Sequence, residues 1–179
     1  MLSKERKPID LNITGKDLAT FAANLGDAHE FIVIGILIRL GFDVGVMQVK
    51  GVAYDLWLLA YEKPNGKKRS LRVQIKAVSE GGSIRFIGGS RGGVDRTYKP
   101  NAKTYEYTPE HSDLIIGIDK TTLDLYIIPT SFIGRWGSSR SVGRIQPLKN
   151  NWDILLNWNE AFLSKLELDL PHKRSDVCV

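Results

Sequence analysis

The feature that most limits the folds open to this chain is a turn signal, Pro64-Asn65-Gly66-Lys67, between two strand-length apolar runs, Tyr54 to Tyr61 and Leu71 to Val78. An Asn-Gly pair suits a tight two-residue turn, so the two runs read as a β-hairpin. With Asn65 and Gly66 at the turn centre, Asp55 falls opposite Lys76 and Trp57 opposite Gln74. Opposed residues share a face, and so do residues two apart on one strand. Asp55, Gln74 and Lys76 are therefore expected as one polar cluster. The expectation depends on register, because a bulge in the connection slides or inverts the pairing.

Around this hairpin the pattern is helical at both ends and extended in the middle. Asp17 to Leu25 reads as a short helix stopped by Gly26; Asp27 then stands three residues before Glu30, the pattern of a capping box. A second helix is expected from there through Phe31, Ile34, Leu37 and Ile38, ending at Gly41. Further strands are expected over Phe42 to Met47, Ser83 to Ile87, Leu114 to Ile118 and Leu123 to Ile128, with a turn around Asp119 to Thr122 and a closing helix over Trp152 to Leu168. The long stretch from Gly88 to Pro109, rich in Gly, Tyr and basic residues, reads as a loop of the length that is functional or disordered. The sum is an α/β domain, a central mixed sheet flanked by helices, over 14–170. A mobile segment, 1–13, precedes it and a tail, 171–179, follows.

Composition narrows the function. Hydrophobic residues at 42% allow an ordinary core, and 25 Lys and Arg against 20 Asp and Glu give a net charge of +5, which favours an anionic partner. The single cysteine, Cys178, gives no sign of a bridged scaffold. The apolar run Phe31 to Leu40 is short of the roughly 20 residues a bilayer requires, and Met1 to Asp10 lacks the apolar centre of a signal peptide. A cytoplasmic protein with no membrane partner is the expectation. His29, His111 and His172 are scattered without zinc-ligand spacing, and Gly134 to Gly143 lacks the lysine of a phosphate-binding loop. The four tryptophans, Trp57, Trp136, Trp152 and Trp158, are assigned to packing.

Asp55 opens an apolar run, Leu56 to Ala60, and a carboxylate there needs compensation. It is paired with Lys76, coordinated to a cation, or neutralised by a raised pKa. A structural Asp–Lys pair between neighbouring strands, or a strand terminus facing solvent, accounts for it without any chemistry. Taken with Glu30 on the preceding helix and Gln74-Ile75-Lys76 on the next strand, however, the order and spacing resemble the PD-(D/E)xK nuclease superfamily. The similarity is to its Q-x-K branch, which contains a cyanobacterial intron-encoded homing endonuclease. It spans roughly Gly26 to Pro129, anchored on "GDAHEF", "YDLWL", "RVQIKAV", "HSDLIIGID" and "LYIIP". Tyr54 stands where that pattern has Pro, and Gln74 where it usually has an acid.

The resemblance implies a restriction-endonuclease-like core and metal-assisted hydrolysis of DNA. Mg²⁺, with Mn²⁺ able to substitute, would be held by Asp55, the side-chain oxygen of Gln74, the backbone carbonyl of Ile75, and Glu30 directly or through water. Lys76 would orient the attacking water or neutralise charge on the phosphate. Gln74 brings an oxygen but no charge, so weaker metal binding is implied. For Glu30 the capping box is the competing account, and Asp113 reads as a strand-start or turn residue outside the catalytic set.

DNA contact is expected from Arg85, Arg91, Arg96, Lys99 and Lys103, with Gly88, Gly89, Gly92 and Gly93 allowing close approach of backbone amides to phosphates, and from Arg135, Arg140 and Arg144. A solvated loop is the alternative for the first group. The functional expectation is an endonuclease of homing or restriction type acting on double-stranded DNA as a homodimer or higher homo-oligomer. The alternatives are a junction-resolving or repair nuclease, a degenerate nuclease-fold DNA-binding protein, and a basic interaction protein with no active site.

Overall fold

The computed structural model describes residues 12–49, 52–63, 65–89 and 104–171. Helix α1 (Leu18–Arg39) comes first, followed by β1 (Val44–Val46), β2 (Leu56–Glu62), β3 (Lys67–Ala77), β4 (Ser83–Arg85), β5 (Ile87–Gly89), β6 (Thr104–Glu106), β7 (Leu114–Ile118), β8 (Leu125–Pro129), β9 (Ser139–Ser141), α2 (Asp153–Leu156) and α3 (Glu160–Leu168). The central sheet has five strands in the order β1-β2-β3-β7-β8. All neighbours are antiparallel except β3 and β7, which run parallel. The expected mixed sheet flanked by helices is what the chain forms.

The β2–β3 hairpin departs from the tight-turn expectation. Its ladder closes at Glu62↔Lys67, and Trp57 pairs with Arg72 rather than Gln74. The connection is two residues longer than a two-residue turn, with Gly66 supplying a positive φ of 64°. The register therefore slides by two, and an even slide leaves every side chain on its original face. Along the ladder Asp55 now falls opposite Gln74. The Leu71, Val73 and Ile75 face, continued by Leu56, Leu58, Leu114, Ile116 and Ile118, is buried. The opposite face carries Arg72, Gln74 and Lys76 beside Ile115 and Gly117 of β7. There β4 packs over the sheet: a Cβ on Gly117 would lie 2.3 Å from Ile84 Cδ1.

Gly26 does not stop the first helix. Asp17 caps it instead, its carboxylate accepting from the Thr20 N–H at 3.0 Å, and α1 runs unbroken for 22 residues. One interior glycine costs about 1 kcal/mol, less than the burial of the stripe His29, Val33 and Leu37 returns. Asp27 and Glu30 are thus mid-helix residues, and no capping box explains Glu30. The unbroken helix also changes the membrane reading. By length and composition alone, Thr20–Arg39, with a mean hydropathy of 1.5, is long and apolar enough to cross a bilayer, and 17% of that window is buried in the fold.

Three further expectations are corrected. Ser83 to Ile87 is two short strands outside the central sheet, β4 pairing with β9 and β5 with β6. Within the Gly88 to Pro109 stretch, Gly88–Gly89 belongs to β5 and 104–106 to β6, Pro109 begins a turn, and 90–103 lies outside the described residues. The closing helix is two helices, because Asn159 caps α3 by accepting from the Phe162 N–H at 3.0 Å, and Trp158 N–H donates to the Tyr61 carbonyl at 2.7 Å. Trp136 and Trp158 are buried as expected, whereas Trp57 is 36% exposed and packs edge-on to Tyr54.

Candidate active site

Asp55 sits at the entrance to β2, held by its own backbone: its N–H donates to the Val73 carbonyl at 2.8 Å and its carbonyl accepts from Met47 N–H at 2.9 Å. The half-buried carboxylate accepts through Oδ2 from the Ile75 N–H at 2.7 Å and from the Gln74 amide nitrogen. That nitrogen also donates to the Ile75 carbonyl at 3.2 Å. The other end of the Gln74 amide, Oε1, accepts from the Tyr107 hydroxyl at 2.8 Å. The Lys76 ammonium lies 4.9 Å from the centre of the Tyr107 ring. The structure thus brings Asp55, Gln74, Ile75 and Lys76 together, as the alternation along the hairpin implies.

Glu30 joins this group electrostatically. Burial, then the negative charges of Asp55 and Asp27, push its pKa from the ordinary 4.5 to about 7, with Lys76 pulling the other way. Burial likewise raises the pKa of Asp55, against the Ile75 N–H, Lys76 and Gln74. Two carboxylates are gathered where ionising both is costly, and their own oxygens, with the Ile75 carbonyl close by, are the hard ligands that a divalent cation of the Mg²⁺ type takes. Among the described residues no group of three or more His, Cys, Asp or Glu side chains gathers. A cation here would rely on two carboxylates and neutral oxygens. Gln74 turns its nitrogen, not its oxygen, toward Asp55.

Asp113 is engaged elsewhere: Arg72 donates to it through its backbone N–H (2.9 Å), Nε (3.1 Å) and Nη2 (3.2 Å). The same guanidinium reaches the Glu110 and Pro109 carbonyls at 2.7 and 2.6 Å. Sequence reasoning missed Tyr107, whose only signal is its alternation with Tyr105 just ahead of β7.

The expected DNA-contact residues divide. Arg91, Arg96, Lys99 and Lys103, with Gly92 and Gly93, lie outside the described residues. Arg85 and Arg144 are exposed on and beside the β4–β9 ribbon. Arg135 is exposed and ion-paired to Glu167 at 3.4 Å. Arg140 is buried at 4% exposure, lying over the Trp136 ring and donating to the Pro171 carbonyl, so it is a packing residue unavailable to phosphate. Gly88 is also committed inward, since a Cβ there would lie 2.6 Å from the Tyr105 ring.

The chain is similar in structure to a bacterial homing endonuclease, I-Ssp6803I, with a TM-score of 0.56 and 18% identity over 78% of this chain and 95% of that one. No family model matches the sequence, and no curated protein matches it.

Proposed function

We propose that this protein is a Mg²⁺-dependent DNA endonuclease of the PD-(D/E)xK kind, of homing or restriction type. The observation that carries the reading is the convergence of Asp55, Glu30 and Lys76 beside the Gln74-Ile75 backbone, with Glu30 raised to about 7 by burial and by Asp55. A structural Asp–Lys pair alone does not call for a second carboxylate. The similarity to a homing endonuclease points the same way.

When bound, Mg²⁺ lowers the pKa of water and neutralises phosphate charge. Asp55 and Glu30 would hold it with the Ile75 carbonyl, and Gln74 would contribute its side-chain oxygen if its amide turned over. Lys76 orients the attacking water and offsets charge building on the phosphate oxygens. Exposed Arg85 and Arg144 bind the DNA backbone, and two copies of the chain cut the two strands of a symmetric site. A second reading, DNA binding without cutting, has one observation in its favour: the Gln74 amide nitrogen, which ligates no cation, is turned toward Asp55.

The test is cleavage of phage genomic DNA, supercoiled plasmid and a four-way junction, with Mg²⁺ or Mn²⁺ against EDTA. Metal-dependent fragments are expected, with Asp55→Ala and Lys76→Ala lowering the rate by about 10²-fold or more while DNA binding is retained. Binding without metal-dependent cutting establishes the second reading, and junction-selective cutting assigns a resolving enzyme.

A further inference from the structure

We propose that Tyr107 is the positioning residue that lets the Gln74 amide present either end to Asp55, through a hydroxyl able to donate in one orientation and accept in the other. The inference rests on the metal-dependent reading of the site.

Gln74 is 8% exposed, so both ends of its amide need partners. In the orientation described, Nε2 serves Asp55 and Ile75 while Oε1 takes the Tyr107 hydroxyl proton. For Oε1 to face a cation beside Asp55, the amide must turn over, and Nε2 then arrives where Oε1 now accepts. The partner at that point must change from donor to acceptor. A phenol does this; an ammonium or a backbone carbonyl does not.

The Tyr107 hydroxyl is also held in place. The residue is 5% exposed, its N–H donates to the Phe86 carbonyl at 2.9 Å, and its ring packs edge-on to Tyr105 at 5.4 Å and His111 at 6.1 Å. The same ring lies under the Lys76 ammonium, so a change to Phe deletes the hydroxyl and keeps the ring.

The experiment titrates the full chain with Mn²⁺ by calorimetry in wild type, Tyr107→Phe, Gln74→Glu and the double variant. Tyr107→Phe is expected to weaken Mn²⁺ binding about tenfold. In the Gln74→Glu background either carboxylate oxygen ligates, so the same change should cost about threefold or less. Equal penalties in both backgrounds, or none in the wild type, overturn the inference. Wild type that binds no Mn²⁺, or binds it as well as Asp55→Ala does, overturns the nuclease reading with it; Asp55-dependent binding with equal penalties overturns Tyr107 alone. Should Tyr107→Phe fail to fold, the Gln74 side-chain amide resonances, assigned by their loss in Gln74→Glu, serve instead. They are expected to move on Mg²⁺ saturation as Nε2 leaves a carboxylate for a phenol, and unmoved resonances overturn the inference.

Discussion

At Glu30, burial and the charges of Asp55 and Asp27 hold the pKa near 7 instead of 4.5. The folded state resists its ionisation, so its contribution to stability is complete below pH 4.5 and is lost as pH rises through about 7. Allowing for solvent screening, this is worth about 1–2 kcal/mol. Melting curves in EDTA should therefore show wild type losing stability over that window relative to Glu30→Gln, and Mg²⁺ should restore it. At this scale Asp55, Gln74 and Lys76 were legible because alternation along a strand survives an even slip in register. Tyr107 was not, because its partner is 33 positions away and no local pattern links them. Arg140 misled for the opposite reason: a basic residue among Gly and Ser looks solvated, and only the fold brings Trp136 and Pro171 against it.

Among the elements, β4 approaches β7 closely at Gly117, where a Cβ would meet Ile84 Cδ1 at 2.3 Å and Cγ1 at 3.1 Å. Gly117→Ala is expected to destabilise by about 1–3 kcal/mol, measured by denaturant unfolding. Adding Ile84→Val, which removes Cδ1, should recover part of that loss. The Arg72–Asp113 pair ties the start of β7 to β3, and Asp113→Ala should cost about 1–3 kcal/mol while leaving Mn²⁺ affinity unchanged, which separates it from Asp55→Ala. The pairing of β7 with β8 and the end-helix, mid-sheet pattern could be read from hydrophobic runs. Turn length could not, since Asn65-Gly66 fits a four-residue connection as well as a two-residue one. Nor could the continuity of α1, where tertiary burial of Val33 and Leu37 outweighs the weak local preference of Gly26.

Across the whole molecule, a net charge of +5 becomes a binding surface only where the cations remain free. Arg85→Ala and Arg144→Ala should each lower the slope of log affinity against log salt by about 0.9, whereas Arg140→Ala should lower the melting temperature and leave the slope unchanged. The mixed sheet was legible as a class, but its strand order was not, because the parallel β3–β7 pairing joins segments that sequence alone leaves far apart. That pairing also bears on how the chain reaches its native state. Asp55 meets Gln74 and Ile75 inside a hairpin, which closes on a scale of about 1–10 μs, but Tyr107 arrives with the long crossover into β7, whose closure is slower. A refolding chain should thus assemble its carboxylate–amide half early and gain the phenol late, and Mn²⁺ uptake followed during refolding should rise in two kinetic phases.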